Sequence, residues 1–204
     1  MTISWYGLSS FKIIGKDLTI ITDPFGSGSG LSPVRGGADI VISSNPSLEI
    51  ANNFSSITGT PFIITGPGEY DIKGAFIIGA PGKGGTIYSI EVEGIRIAFL
   101  GQIKQTELTD DQKESLEGAD IILVPVGGKD VMDFETAAKV ATKLEPFVVI
   151  PHSYKIPGVS LNLDKLDKFL QEMGGKHQEM DKLTLKKKEL VGEQTQLIIL
   201  TPQR

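Results

Sequence analysis

Two histidines, His152 and His177, and no cysteines are the only strong nitrogen or sulfur ligands that this 204-residue sequence offers. A catalytic zinc takes about three protein ligands from imidazole, carboxylate and thiolate. A histidine-rich two-metal centre is therefore excluded by residue count, and any metal site would have to be sparse and built on carboxylates. The absence of cysteine also removes disulfides, thiolate ligands and a thiol nucleophile. His152 follows the apolar run Phe147–Ile150 and Pro151, so it stands at a strand end where a general base or ligand could sit. The simpler reading is a structural or surface histidine. His177, in Gly-Gly-Lys-His-Gln, reads as a solvated turn residue. Ser9, Ser47 and Ser153 lie outside any Gly-x-Ser-x-Gly pattern, which leaves a serine hydrolase unsupported. The glycine-rich segments 26–30 and 82–85 lack both a Gly-Lys-Ser/Thr ending and a strand-to-helix dinucleotide context, and read as flexible loops. Lys186-Lys187-Lys188 reads as a solvated charge run.

The elements that must hold these groups change character along the chain. Ile3–Tyr6, Phe11–Ile14 and Leu18–Thr22 are short β-rich runs separated by turn residues, which predicts a meander ended by Asp23-Pro24. Ile40–Ile42, Phe62–Thr65 and Tyr70–Ile78 are further strands. Glu93-Gly94 between Thr86–Val92 and Ile95–Leu100 is a hairpin signal. The second half alternates helices and strands. Thr109-x-x-Gln112 predicts a capped helix ending at Gly118, Ile121–Val124 and Phe147–Ile150 are buried strands, and Asp133–Leu144 and Leu163–Met173 have helical spacing. Lys182–Leu190 suits strand or helix, and Gln196–Leu200 is a last strand. Val41, Ile63, Ile64, Ile97, Leu123 and Val149 are predicted core. With 40% hydrophobic residues and no linker-like segment, one domain over residues 1–204 is expected. A net charge of −5 gives no positive field for nucleic acid or anionic lipid. No stretch reaches the roughly 20 apolar residues of a membrane span, and no secretory signal is visible, so a cytoplasmic location is expected.

Several phrases, taken in order, resemble one family. Trp5-Tyr6-Gly7-Leu8-Ser9-Ser10-Phe11 is similar to the Trp-Leu-Gly-His-Ser-Ser-Phe opening of metal-dependent hydrolases in the ascorbate-phosphate lactonase branch of the metallo-β-lactamase superfamily. Ile21-Thr22-Asp23-Pro24-Phe25, Ala38-Asp39-Ile40-Val41, Gly66-Pro67-Gly68-Glu69-Tyr70, Phe99-Leu100-Gly101, Pro125-Val126-Gly127-Gly128 and Glu145–Pro151 follow in family order. The resemblance spans Ile3 to Tyr154 and implies a four-layer αββα sandwich of mixed α/β (α+β) class. It also implies zinc or manganese chemistry.

The departures fall at the metal ligands. Where the resemblance implies histidines, this chain has Leu8, Asn45, Ser47 and Ile50, with only Glu49 retaining a ligand type. The bridging aspartate of the family's Leu-Gly-Asp corresponds to Gln102. In the late Ile-Pro-Met-His-Tyr phrase the ligand position is Ser153, with His152 one residue early. Aspartate at 102 would be a costly buried charge without a cation, and glutamine removes it. No cofactor is therefore expected. Asp23, Glu49, Glu69 and His152 remain as weak catalytic candidates, and Asp23, Glu49 and His152 as a conceivable single-metal set. Asp23 also reads as a local backbone cap, and Glu69 as a turn residue. Three roles follow: a non-catalytic scaffold for a small ligand or protein, a metal-dependent hydrolase with a rebuilt site, or a structural subunit that assembles with copies of itself or with another chain.

Overall fold

The first three strands, β1 (Thr2–Gly7), β2 (Ser10–Ile14) and β3 (Thr19–Thr22), form the antiparallel meander that their turns dictate. In β1 the buried Ile3 and Trp5 alternate with half-buried Thr2, Ser4 and Tyr6, the period of a strand with one face on a core. The computed structural model describes residues 1–190, 192 and 194–203. After a two-stranded parallel ribbon of β4 (Gly36–Gly37) and β6 (Ile57–Thr58), the strands β5 (Ile40–Ile42) and β7 (Phe62–Ile64) add in parallel beyond β3.

The second sheet begins as an antiparallel run of β8 (Gly68–Ile72), β9 (Ala75–Gly82), β10 (Gly85–Val92) and β11 (Ile95–Phe99). It continues in parallel through β12 (Ile121–Pro125) and β13 (Val148–His152). Near the end of the chain, β14 (Gln178–Met180) and β16 (Gln196–Leu200) complete this sheet, while β15 (Lys182–Thr184) returns to pair with β1. The result is a six-stranded sheet, β15-β1-β2-β3-β5-β7, facing an eight-stranded sheet, β14-β16-β13-β12-β11-β10-β9-β8.

Helix α1 (Asp110–Leu116) packs on β9 and β10, α2 (Phe134–Leu144) on β12, and α3 (Asp167–Glu172) on α2. Every residue of β12 is buried, as expected for a parallel strand covered on both faces. The outer face of the six-stranded sheet is covered mainly by loops and short 3-10 turns, under which Leu8, Ile21, Phe25, Val34, Val41, Ile57 and Val159 form a second apolar cluster. The fold is thus the α/β sandwich that the sequence predicts, with one outer layer helical and the other largely irregular.

Five local expectations need correction. The predicted strand Tyr70–Ile78 is a hairpin, because Lys73 (φ +51°) and Gly74 (φ +81°) make the same left-handed pair as Glu93 (φ +55°) and Gly94 (φ +73°). Ile63 is 43% exposed, since β7 is an edge strand and the loop layer does not cover it. The helical pattern from Leu163 yields helix only at Asp167, because the Asp164 backbone is taken by Gly127 O and by Lys155 N. In the lysine run, Lys187 is not simply solvated: its ammonium lies 2.7 Å from both oxygens of buried Asp120. The glycine-rich segment 26–30 contains a 3-10 turn, and Gly30 (φ +82°) lies so near Gly158 that a Cβ would stand 2.2 Å from its carbonyl oxygen.

The capping box is present. Gln112 N donates to Thr109 Oγ1 at 3.3 Å, and Thr109 N donates to Gln112 Oε1 at 3.0 Å. Thr109→Ala should lower stability by about 1 kcal/mol in urea unfolding. An unchanged midpoint would show that this cap adds nothing.

Candidate functional site

The ends of β1, β3, β5, β11 and β13 meet at one rim of the sandwich, where the resemblance places a metal centre. Leu8 follows β1 with φ +48°, a conformation that turns its carbonyl inward to accept Trp5 Nε1 at 2.8 Å and Ser153 N at 3.2 Å. Its side chain is 1% exposed and fills the second apolar cluster beside Phe25 and Val41.

Asp23 follows β3, also left-handed (φ +38°), and is fully buried. It accepts Ser44 N at 2.6 Å and Ser44 Oγ at 2.7 Å, so it holds the start of the loop after β5. Burial raises its pKa to about 7, and the Ser9 and Ser44 hydroxyls with the Ser44 N–H limit the rise. Asp23 thus caps the backbone of Ser44, 21 residues further along, rather than the local backbone after its own strand.

Ser44 Oγ also accepts Gln102 N at 3.0 Å. Gln102, 3% exposed, donates from Nε2 to Ser9 Oγ at 2.6 Å and more weakly to Ser153 Oγ at 3.5 Å. Gly101 before it has φ +54°, and a Cβ there would lie 2.1 Å from Ser44 Cβ, so this approach requires glycine. Ser153 Oγ is 3.0 Å from His152 Nδ1. Either atom can donate in this pair, according to the imidazole tautomer.

His152 is buried between the sheets, its ring 5.5 Å from Phe11 and 6.1 Å from Phe99 by centroid. Burial lowers its pKa to about 3, partly offset by the Leu123 carbonyl, although no acceptor meets hydrogen-bond geometry at Nε2. It is a neutral core histidine, which supports the structural reading over the surface one.

The other candidates do not converge on this network. Asn45 spans outward, donating from Nδ2 to Gly84 O at 2.6 Å and accepting the Ser47 N–H and hydroxyl at Oδ1. Ser47 and Glu49 are exposed, and Ile50 packs partly against the Leu8 cluster. Glu69 is exposed on β8, the edge strand five places from β13. Among the described residues, no three histidine, aspartate or glutamate side chains group to hold a metal. Zinc or manganese also fits this donor set poorly on chemical grounds. The side chains of Leu8 and Ile50 have no lone pair, and Gln102 and Ser153 are already hydrogen-bonded to Ser9 and His152. Ser9 and Ser44 hold the network together. Their signal in the sequence is the paired hydroxyls Ser9-Ser10 and Ser43-Ser44 at strand ends, which does not by itself reveal their partners.

Residues 2–153 match the β-lactamase superfamily domain. A candidate zinc-dependent hydrolase of the metallo-β-lactamase superfamily from Thermotoga maritima is 29% identical, with 98% of each chain covered and a TM-score of 0.85. Igni18, a metallo hydrolase from Ignicoccus hospitalis, superimposes with a TM-score of 0.64 at 17% identity over 100% of this chain and 96% of its own. A candidate metal-dependent hydrolase from Parabacteroides distasonis does so with a TM-score of 0.61 at 17% identity, covering 85% and 89%. With residues 2–153 matched by the family and the fold in agreement, the chain belongs to the β-lactamase superfamily.

Proposed function

We propose that this protein is a non-catalytic member of the superfamily that keeps the fold as a cytoplasmic scaffold for binding a ligand or partner. The phrases it shares with the ascorbate-phosphate lactonase branch support an origin near those hydrolases. The observation that carries the reading is the buried chain Asp23–Ser44–Gln102–Ser9, joined through Ser153 to His152. Gln102 puts a neutral, hydrogen-bonded amide where a carboxylate would need a cation, and the buried carboxyl of Asp23 is held by Ser44 N and Oγ. Nucleic acid remains a poor partner for a chain of charge −5. Assembly with copies of itself is compatible with this role, since Phe62 and Ile63 on the β7 edge and Phe76 on β9 are exposed. Light scattering would report such assembly.

The competing reading is a hydrolase with a rebuilt site using Asp23, Glu49, Glu69 or His152. Metal analysis of protein purified without chelator, then dialysed after incubation with zinc or manganese, separates the two. The scaffold reading expects metal well below one equivalent and no hydrolysis of generic phosphodiesters or lactones. One equivalent retained through dialysis, together with hydrolysis, would sink it.

A further inference from the structure

We infer that a cleft beside the altered metal site binds a small organic oxyanion. This rests on the scaffold reading and names the chemistry of its ligand. The cleft has a volume of about 620 Å³, within the range of about 300–1,000 Å³ usual for small-molecule sites. Three loops build it: the β9–β10 turn with Lys83, the segment after β11 with Lys104, and the segment after β12 with Lys129.

These loops are fastened to one another and to the site. Lys104 N donates to Lys83 O at 2.8 Å and Met132 N to Ile103 O at 3.0 Å, while Asn45 Nδ2 holds Gly84 O. Behind the lysines the wall is rigid. Gln105 Nε2 donates to Gln112 Oε1 at 2.6 Å, Gln112 Nε2 to Pro81 O at 2.7 Å, and Lys83 N to Gln105 Oε1 at 3.1 Å. Val131 and Met132, both buried, add apolar surface for a carbon skeleton.

The charges are arranged for an anion. Among the described residues, Lys83 and Lys129 have no carboxylate within salt-bridge distance, and Lys104 reaches only Asp130 at 3.8 Å with both side chains exposed. Of the two lining carboxylates, Glu107 and Asp133, the second is engaged by Thr136 N at the start of α2. Lys129 is held left-handed (φ +57°), next to a turn closed by Val131 N and Gly128 O. A non-glycine residue in that conformation is strained, and such strain gathers at ligand sites. Three lysines lining one cleft in an acidic protein would draw in a compact anion without attracting polyanions. Phosphate monoesters and polycarboxylates share this chemistry.

Isothermal titration of the full chain with ribose 5-phosphate, citrate and the neutral control ribose tests the assignment. At least one anion should bind in the millimolar range or tighter, more weakly in high salt, and ribose should not bind. The ribose 5-phosphate and citrate arms tell a phosphate ligand from a carboxylate one. The variant Lys83→Gln, Lys104→Gln, Lys129→Gln should lose at least about tenfold in affinity. Its melting temperature should stay near that of the parent, because all three side chains are exposed. Absence of heat with both anions, or equal affinity in the triple variant, overturns the anion cleft while leaving the scaffold reading standing. Hydrolysis of ribose 5-phosphate with retained zinc would instead remove the scaffold reading, even if the cleft bound as stated.

Discussion

Asp23→Asn should turn a stability profile that is nearly level between about pH 4 and 6.5 into one that falls steeply with acid. In the parent, two buried groups titrate in opposite senses. Asp23 has a folded pKa raised from 3.8 to about 7, so the folded state binds the extra proton in this window, and lowering the pH favours folding. His152 has a folded pKa lowered from 6.5 to about 3, so the unfolded chain binds the extra proton, and lowering the pH disfavours folding. Each contributes a slope of up to about 1.4 kcal/mol per pH unit, and over the shared window the two oppose each other. Removing the carboxyl leaves the histidine alone, whose contribution is fully present above 6.5 and lost as pH falls towards 3. Between pH 6.5 and 4 the variant should lose roughly 3 kcal/mol relative to the parent. His152→Gln should show the opposite slope, losing stability as pH rises from about 4 to 7. Asp39, held low by Lys73, and Glu93, held low by the amino terminus, add acid loss to all three proteins, so differences from the parent are the proper measure. Parallel urea-unfolding profiles for parent and Asp23→Asn would contradict the assignment.

Much of this fold was legible because its signals are local. The continuous apolar runs at Ile121–Val124 and Phe147–Ile150 could be only buried strands, Glu93-Gly94 a tight turn, and Thr109-x-x-Gln112 a helix start. What escaped depends on distant partners. Ile63 looks like any core strand residue until its strand is known to be an edge. Leu163 to Leu166 carry a helical pattern, but hydrogen bonds around Asp164 to Gly127 and Lys155 outweigh it. At the site, the loss of ligand types was readable from residue identities alone. The closure of Ser9, Ser44, Gln102, Ser153 and His152 into one network was not, because it depends on strand ends far apart in sequence. The left-handed turn at Ser153 shows why simple alternation is insufficient: it lets the interlayer His152 and its neighbour join the same network.

Restoring the family's histidines at Asn45, Ser47 and Ile50 should not restore a hydrolase. The variant Asn45→His, Ser47→His, Ile50→His removes the Asn45 bonds to Gly84 and Ser47, and puts a polar ring against the apolar Leu8 cluster. Loss of those bonds and partial burial of a ring without a partner should cost roughly 2 to 4 kcal/mol, read as a lower melting temperature. Zinc should bind only weakly, because Leu8 still fills one ligand position and Gln102 and Ser153 remain bonded to Ser9 and His152. Metal-bound imidazoles also need partners at their second nitrogens to fix their orientation, and this rim has been rebuilt around serine and glutamine. The informative comparison is a version that also carries Gln102→Asp and Ser153→His, which supplies the bridging carboxylate and the late imidazole. Stoichiometric zinc and lactone or phosphodiester hydrolysis in the first variant alone would refute the non-catalytic reading, because three side chains would then be all that separates this scaffold from an enzyme.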